Sequence, residues 1–187
     1  MIKYLSDLTL WFYCSILVLE TGVQTGGANL FKVGDKVVYP MHGAGIIDGV
    51  ETKEILGEEK EYYVLRLPLK NMKVMLPTEN VNFLGVRDVI TNADVEAVLT
   101  VLSTGLSNMP SNWNRRYRAN MEKVKSGDVL EVAGVVRDLL IMEHQKGLST
   151  GERKMLMTTK QILVSELVLA TGQNEKEIEK IISNRIF

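Results

Sequence analysis

Between Pro110 and Gly127 the chain reads PSNWNRRYRANMEKVKSG, a run in which aromatic and cationic side chains are interleaved. A proline and a serine precede it and Ser126-Gly127 close it, so start and stop signals bracket a helix of about four turns. At about 100° per residue, Trp113, Tyr117, Met121 and Val124 fall within one quadrant, while Arg115, Arg116, Arg118, Lys123 and Lys125 spread over the rest. Five cations against the single carboxylate of Glu122 leave +4 on this helix, in a chain whose formal net charge is only -1. A concentrated positive face suits a polyanion, because each Lys or Arg that neutralises a phosphate releases condensed counterions. The same pattern also describes a solvated helix face.

Trp113 admits two readings as well. A tryptophan in a core buries a large apolar area, which is the commoner use of this side chain. Here, however, no residue within three positions is apolar except Pro110, and arginines and asparagines flank the ring. That setting suits an indole standing outward, placed to wedge against a base step or to stack on an unpaired base.

The elements that must position these residues follow from composition and period. With 187 residues, 45% hydrophobic and 24% charged, the chain has room for one large or two small globular domains. Cys14 is the single cysteine, and His42 and His144 stand apart, so neither an internal disulfide nor the usual zinc-ligand spacing is available. No metal, cofactor or small-molecule substrate is implied. Leu8 to Leu19 is an apolar run of twelve, shorter than the roughly 20 residues a membrane span takes. Three readings are open for it: an extension outside the fold, a peripheral membrane or partner-binding segment, and a signal peptide, against which Asp7 and the lack of a small-residue cleavage site argue. We assign residues 1–30 to an extension outside the fold, and the remainder reads as a cytoplasmic protein without a membrane anchor.

From Phe31 to Gly85 the period is mainly two and the runs are short. Lys36–Tyr39, Gly45–Lys53, Glu61–Leu67, Met72–Leu76 and Val81–Leu84 are five candidate strands, divided by Pro40, Gly43, Gly57, Pro68 and Pro77. Five short strands in about 55 residues are expected to curl into a small SH3-like or Tudor-like β-barrel rather than leave long edges exposed. His42-Gly43-Ala44-Gly45 lacks the Lys-Ser/Thr pair and helix of a nucleotide loop, and the histidine has no nucleophile or carboxylate nearby in sequence, so a tight glycine turn is the expectation.

After Gly85 the period lengthens to about 3.6. Asp94–Ser103 reads as a helix, the basic helix comes next, and Asp128–Lys146 is apolar over most of its circumference, as a central packing element should be. Ser149-Thr150-Gly151-Glu152 is a capping box opening a helix to about Ala170, and Asn174 caps a last one, Glu175–Ile186. Met155, Ile162 and Leu169 lie on a heptad, but two heptads are too few for a coiled coil, so burial in a bundle is expected. The fold class is therefore α+β: a small β domain over 31–88 and a compact all-helical domain of about five helices over 89–187.

Two stretches resemble a known family. Phe31-Lys32-Val33-Gly34-Asp35, Val38-Tyr39-Pro40, His42-Gly43 and Glu61-Tyr62-Tyr63-Val64-Leu65 resemble the polymerase-interacting module of the CarD/CdnL bacterial transcription regulators, which transcription-repair coupling factor shares. Asn112 to Asn120, Ser126-Gly127-Asp128, Val135 to Leu139 and Gly147-Leu148-Ser149 are similar to the family's helical DNA-binding domain, in the same order and spacing. The resemblance implies a Tudor-like domain that docks on the β subunit of bacterial RNA polymerase and a helical domain that touches promoter DNA at the upstream edge of the melted bubble. It places Trp113 at the family's wedge in the minor groove, and Arg115, Arg116 and Arg118 at its basic positions. On the β domain it aligns Lys53, Glu54, Ile55 and Met75 with positions facing the polymerase. Some members carry arginine where this chain has Met75, and the segment before Phe31 has no counterpart in the family.

The expected function is thus a polymerase-bound regulator that stabilises the promoter open complex. A free-standing nucleic-acid-binding protein, its barrel directed to RNA or ribosome surfaces, is the rival. An enzyme is disfavoured, since neither a carboxylate pair, a nucleophile-base pair, a nucleotide loop nor a metal cluster occurs in the pattern. The repair-coupling factor itself would need translocase motors of several hundred residues.

Overall fold

The computed structural model describes residues 30–55 and 57–187. The apolar run Leu8–Leu19 lies outside the described residues. A five-stranded antiparallel sheet is followed by five helices among the described residues, the α+β order expected. The strands are β1 (Lys36–Tyr39), β2 (Gly43–Ile55), β3 (Glu58–Leu67), β4 (Met72–Pro77) and β5 (Arg87–Asp88), arranged β4-β3-β2-β1-β5. Phe31, Val37, Ile47, Tyr63, Leu65, Leu67, Leu76, Val81 and Val86 form one buried cluster. Alternation supplies it: in β3, Tyr63, Leu65 and Leu67 point inward together because successive side chains leave opposite faces.

One expected strand is corrected. Val81–Leu84 is a turn, in which Leu84 N donates to Asn80 O and Val86 N to Val81 O, and the fifth strand is Arg87–Asp88. Val81 is buried and Leu84 packs half-buried against the same cluster, but Phe83 between them is 89% exposed, so the run does not alternate as a strand would. The tight turn expected at His42–Gly45 falls earlier, on Pro40–His42, where His42 N donates to Tyr39 O at 3.0 Å, and Gly43, Ala44 and Gly45 already pair with β1 as the start of β2. Met41 and Gly43 have φ of 67° and 103°, and a Cβ at Gly43 would lie 2.7 Å from Ser165 Oγ, so this position needs glycine for both its φ and the close approach of a helix. His42 stacks on Tyr39 with ring centroids 4.4 Å apart, and burial, then the charge of Lys70, push its pKa down.

The helices are α1 (Val95–Ser103), α2 (Trp113–Lys125), α3 (Val129–Lys146), α4 (Thr150–Thr171) and α5 (Glu175–Ile186). Their caps are those the side chains allow. Asp128 Oδ1 accepts from Leu130 N at 2.7 Å, and Ser149 and Asn174 each complete a capping box with the glutamate three residues on. α3 buries Val132, Ala133, Val135, Val136, Leu139 and Met142 against α4, whose Met155, Leu156, Ile162 and Leu163 are buried in the same core rather than in a zipper.

Between the two cores runs a polar seam. Ala44 N donates to Ser165 Oγ at 2.8 Å, Lys36 Nζ reaches Leu169 O at 2.8 Å, and Arg87 forks onto Glu166 at 2.6 and 2.9 Å. Glu166 is 1% exposed, and Arg87 also donates to Gly127 O, so one guanidinium joins the sheet to α4 and to the turn before α3.

Candidate nucleic-acid and partner interfaces

α2 begins at Trp113 because Asn112, not Ser111, is the cap: its Oδ1 accepts from Arg115 N at 3.1 Å. Along the apolar quadrant burial rises with distance from that end. Val124 is buried, Tyr117 and Met121 are half-buried, and Trp113 is 42% exposed. The indole therefore stands at the rim of the bundle. It rests on Tyr117, centroids 5.6 Å apart, and its Nε1–H donates to Ser149 Oγ at 2.8 Å.

The five cations of α2 separate into three kinds. Arg115 and Arg118 are exposed and take part in no ion pair among the described residues. Lys123 pairs with Glu131 at 3.2 Å and Lys125 with Glu122 at 3.9 Å, surface pairs of the kind worth less than about 1 kcal/mol. Arg116 corrects the sequence expectation. At 8% exposure it points inward, where Nε and Nη2 bond Glu152 Oε1 at 2.8 and 2.6 Å and Nη1 donates to the carbonyls of Pro110 and Ser111. The reason is its place on the helix: Arg116 sits one turn before Asn120 and two before Val124, on the side that faces the bundle, and both are buried with it.

Glu152 is 3% exposed and divides its two oxygens. Oε1 faces the guanidinium, and Oε2 accepts from Ser149 Oγ at 2.7 Å and Ser149 N at 3.2 Å. Burial alone raises its pKa, but the Ser149 hydroxyl and the Arg116 guanidinium outweigh it and hold the carboxyl below its ordinary range. Glu152 and Ser149 are visible in the sequence as a capping box, a local signal. Their reach to Trp113 and Arg116, 36 residues earlier, is tertiary.

The other candidate surface lies on the sheet. The β2–β3 ladder continues to Ile55↔Glu58, whereas β4 ends at the Tyr62↔Pro77 pair, so a two-stranded ribbon projects past the sheet. Lys53, Glu54 and Ile55 are on that ribbon, all exposed. The register puts Lys53 and Ile55 on the face shared by Val64 and Met75, and Glu54 on the opposite one. Met75 is half-buried on the end strand β4, four pairs from Lys53, or about 13 Å along the strand direction. Three of the four residues thus share a face, and Glu54 does not. Among the described residues no group of three His, Cys, Asp or Glu side chains could hold a metal, and no helix is long and apolar enough to cross a membrane.

Comparison with known proteins covers both domains. Residues 31–90 match the family model of the CarD-like/TRCF RID domain, and residues 97–183 that of the CarD C-terminal domain. A putative transcription factor of Bacillus subtilis, YdeB, is 41% identical over 150 residues, which are 80% of this chain and 98% of that protein. Two solved structures from Myxococcus xanthus are similar to the first part of the chain. The N-terminal domain of CarD is 28% identical, with 36% of this chain and 93% of that one covered and a TM-score of 0.29; CdnLNt is 36% identical, with 38% and 97% covered and a TM-score of 0.30.

Proposed function

The chain belongs to the CarD/CdnL family of transcription factors, and from that premise we propose that it docks on the β subunit of RNA polymerase in the cytoplasm and stabilises the promoter open complex, with Trp113 as a minor-groove wedge at the upstream edge of the bubble. The observation that carries this reading is the indole at the rim of the bundle, 42% exposed, with Arg115 and Arg118 exposed on the same turn and the next. Arg115 and Arg118 hold backbone phosphates, which position the ring without reading sequence. Lys53, Ile55 and Met75 meet the polymerase from one face of the sheet, and Glu54 contributes from the ribbon's other face.

Tethering to polymerase raises the effective DNA concentration, so the helical domain acts even if its own affinity is low. A wedge at a junction that exists only in the melted state favours that state by its differential affinity. Replacing Trp113 with alanine should shorten the open-complex lifetime in a promoter-melting assay while the protein still binds polymerase. An unchanged lifetime would remove the wedge.

A further inference from the structure

Resting on the wedge reading of Trp113, we propose that Ser149 and Gly151, backed by the buried Glu152–Arg116 pair, are positioning residues that clamp the indole in the orientation it presents to DNA. An exposed aromatic on the first turn of a helix samples several rotamers, and ordering one such side chain on binding costs about 0.5–1.5 kcal/mol. Here two kinds of contact from another helix hold the ring beforehand.

The first is directional. Trp113 Nε1–H donates to Ser149 Oγ at 2.8 Å, and that oxygen cannot turn away, because its own proton goes to Glu152 Oε2 at 2.7 Å and it also accepts from Glu152 N at 3.3 Å. Glu152 is in turn fixed through Oε1 by Arg116. Indole, hydroxyl, carboxylate and guanidinium form one chain, each bond polarising the next. A capping box needs only the serine and the glutamate, so the bond to the indole is an added use of the same hydroxyl.

The second contact is steric. A Cβ built on Gly151 would lie 3.3 Å from Trp113 Cζ2 and 3.8 Å from Tyr117 Cε2. Gly151 thus provides a bare patch of helix on which the ring lies. Indole has one donor and no acceptor, and that donor is spent on Ser149, so the clamped ring offers nucleic acid shape and apolar surface rather than a hydrogen bond to a base edge.

The test uses the full chain with 15N-labelled indoles, Trp11→Phe leaving one signal, in parallel with the promoter-melting assay. Ser149→Ala should move the Trp113 Nε1–H resonance, speed its exchange with water and shorten the open-complex lifetime roughly two- to tenfold, the cost of ordering one side chain. Polymerase binding should be retained. Ser149→Thr, which keeps the hydroxyl, should restore both readouts, and Gly151→Ala should shift the ring and shorten the lifetime with the cap intact. Ser149→Gly, which costs a helix N-terminus only a few tenths of a kcal/mol, serves if the alanine variant is poorly folded. A lifetime at the parent value in Ser149→Ala and Ser149→Gly, while Trp113→Ala shortens it, would overturn the clamp and leave the wedge standing. An unaltered indole signal would overturn it as well. If Trp113→Ala has no effect, the wedge fails and the clamp with it.

Discussion

The corner where α2 meets the start of α4 and the ribbon formed by the end of β2 and the start of β3 are both exposed, both charged and both proposed to meet a partner, yet they are built differently. At the corner a single ring is held by groups from two helices, with a buried Arg116–Glu152 pair behind it. On the ribbon, Lys53 and Lys60 lean on Glu51 and Glu58 at 3.8 and 2.9 Å, in the open, and the geometry comes from the backbone ladder. A site whose action depends on the aim of one side chain needs support from the interior. A site whose shape is two hydrogen-bonded strands carries its geometry in the main chain, so its side chains can be exchanged without loss of form.

The widest difference between the two should appear in stability. Glu152→Ala leaves the Arg116 guanidinium buried without its carboxylate, and unpairing one partner of such a pair costs about 3–5 kcal/mol. Glu58→Ala, which unpairs Lys60 on the surface, should leave stability close to the parent's. Urea unfolding of the two variants beside the parent gives the contrast directly. Equal losses would mean that the corner is not braced from within.

Function should divide the other way. Trp113→Ala removes a ring worth about 1–3 kcal/mol if it stacks on a base, and the open complex should lose lifetime by that factor while polymerase is still bound. Ile55→Ala, at a side chain 48% exposed on the ribbon, should weaken polymerase binding and leave the indole signal of Trp113 as it was. Loss of both activities from either variant would join the two surfaces into one.

How much of this contrast is legible in the sequence depends on its range along the chain. Asp128, Ser149 and Asn174 announce their helices because a cap spans only three residues, and β1 to β4 follow from period two within a few residues of their observed ends. Val81–Leu84 has strand composition but follows a 3-10 turn, Thr78–Asn80, whose hydrogen bonds carry the chain into a further turn. Arg116 is the plainest case. In the sequence it is one arginine among three, and helical phase sets it apart from Arg115, which lies opposite the apolar quadrant, but not from Arg118, which flanks that quadrant on the other side. Glu152, 36 positions on, is what draws Arg116 inside. The Arg87–Glu166 seam is hidden for the same reason, with 79 residues between its partners.

Acid should act on the corner before it acts on the ladder of the ribbon. The Glu152 carboxyl is held below its ordinary range, so its contribution to stability is complete above the unfolded value of about 4.3 and is lost as pH falls through the lower folded value. Glu152→Gln should flatten that part of the stability-against-pH curve, measured by thermal unfolding between about pH 5 and 2. A curve for the glutamine variant as steep as the parent's would place the acid-sensitive group elsewhere. Glu58, which is also held low by Lys60, is fully exposed and should contribute little to the slope.

The smallest effect separates the cations of α2 from one another. Removing one cation from its phosphate lowers the slope of log K against log salt by about 0.9, which is only about 3.5-fold in affinity between 50 and 200 mM. Arg115→Ala and Arg118→Ala should each take about that much from DNA binding by the polymerase-bound protein, because neither guanidinium is engaged in an ion pair among the described residues. Arg116→Lys should take nothing from the slope while it is folded, since the cation it replaces already faces Glu152 and the carbonyls of Pro110 and Ser111. Titrating binding at four or five salt concentrations resolves a change of this size even where a single affinity does not. A slope that falls equally for all three arginines would mean that Arg116 swings out to meet DNA, and the bracing pair would then be a feature of the free protein alone.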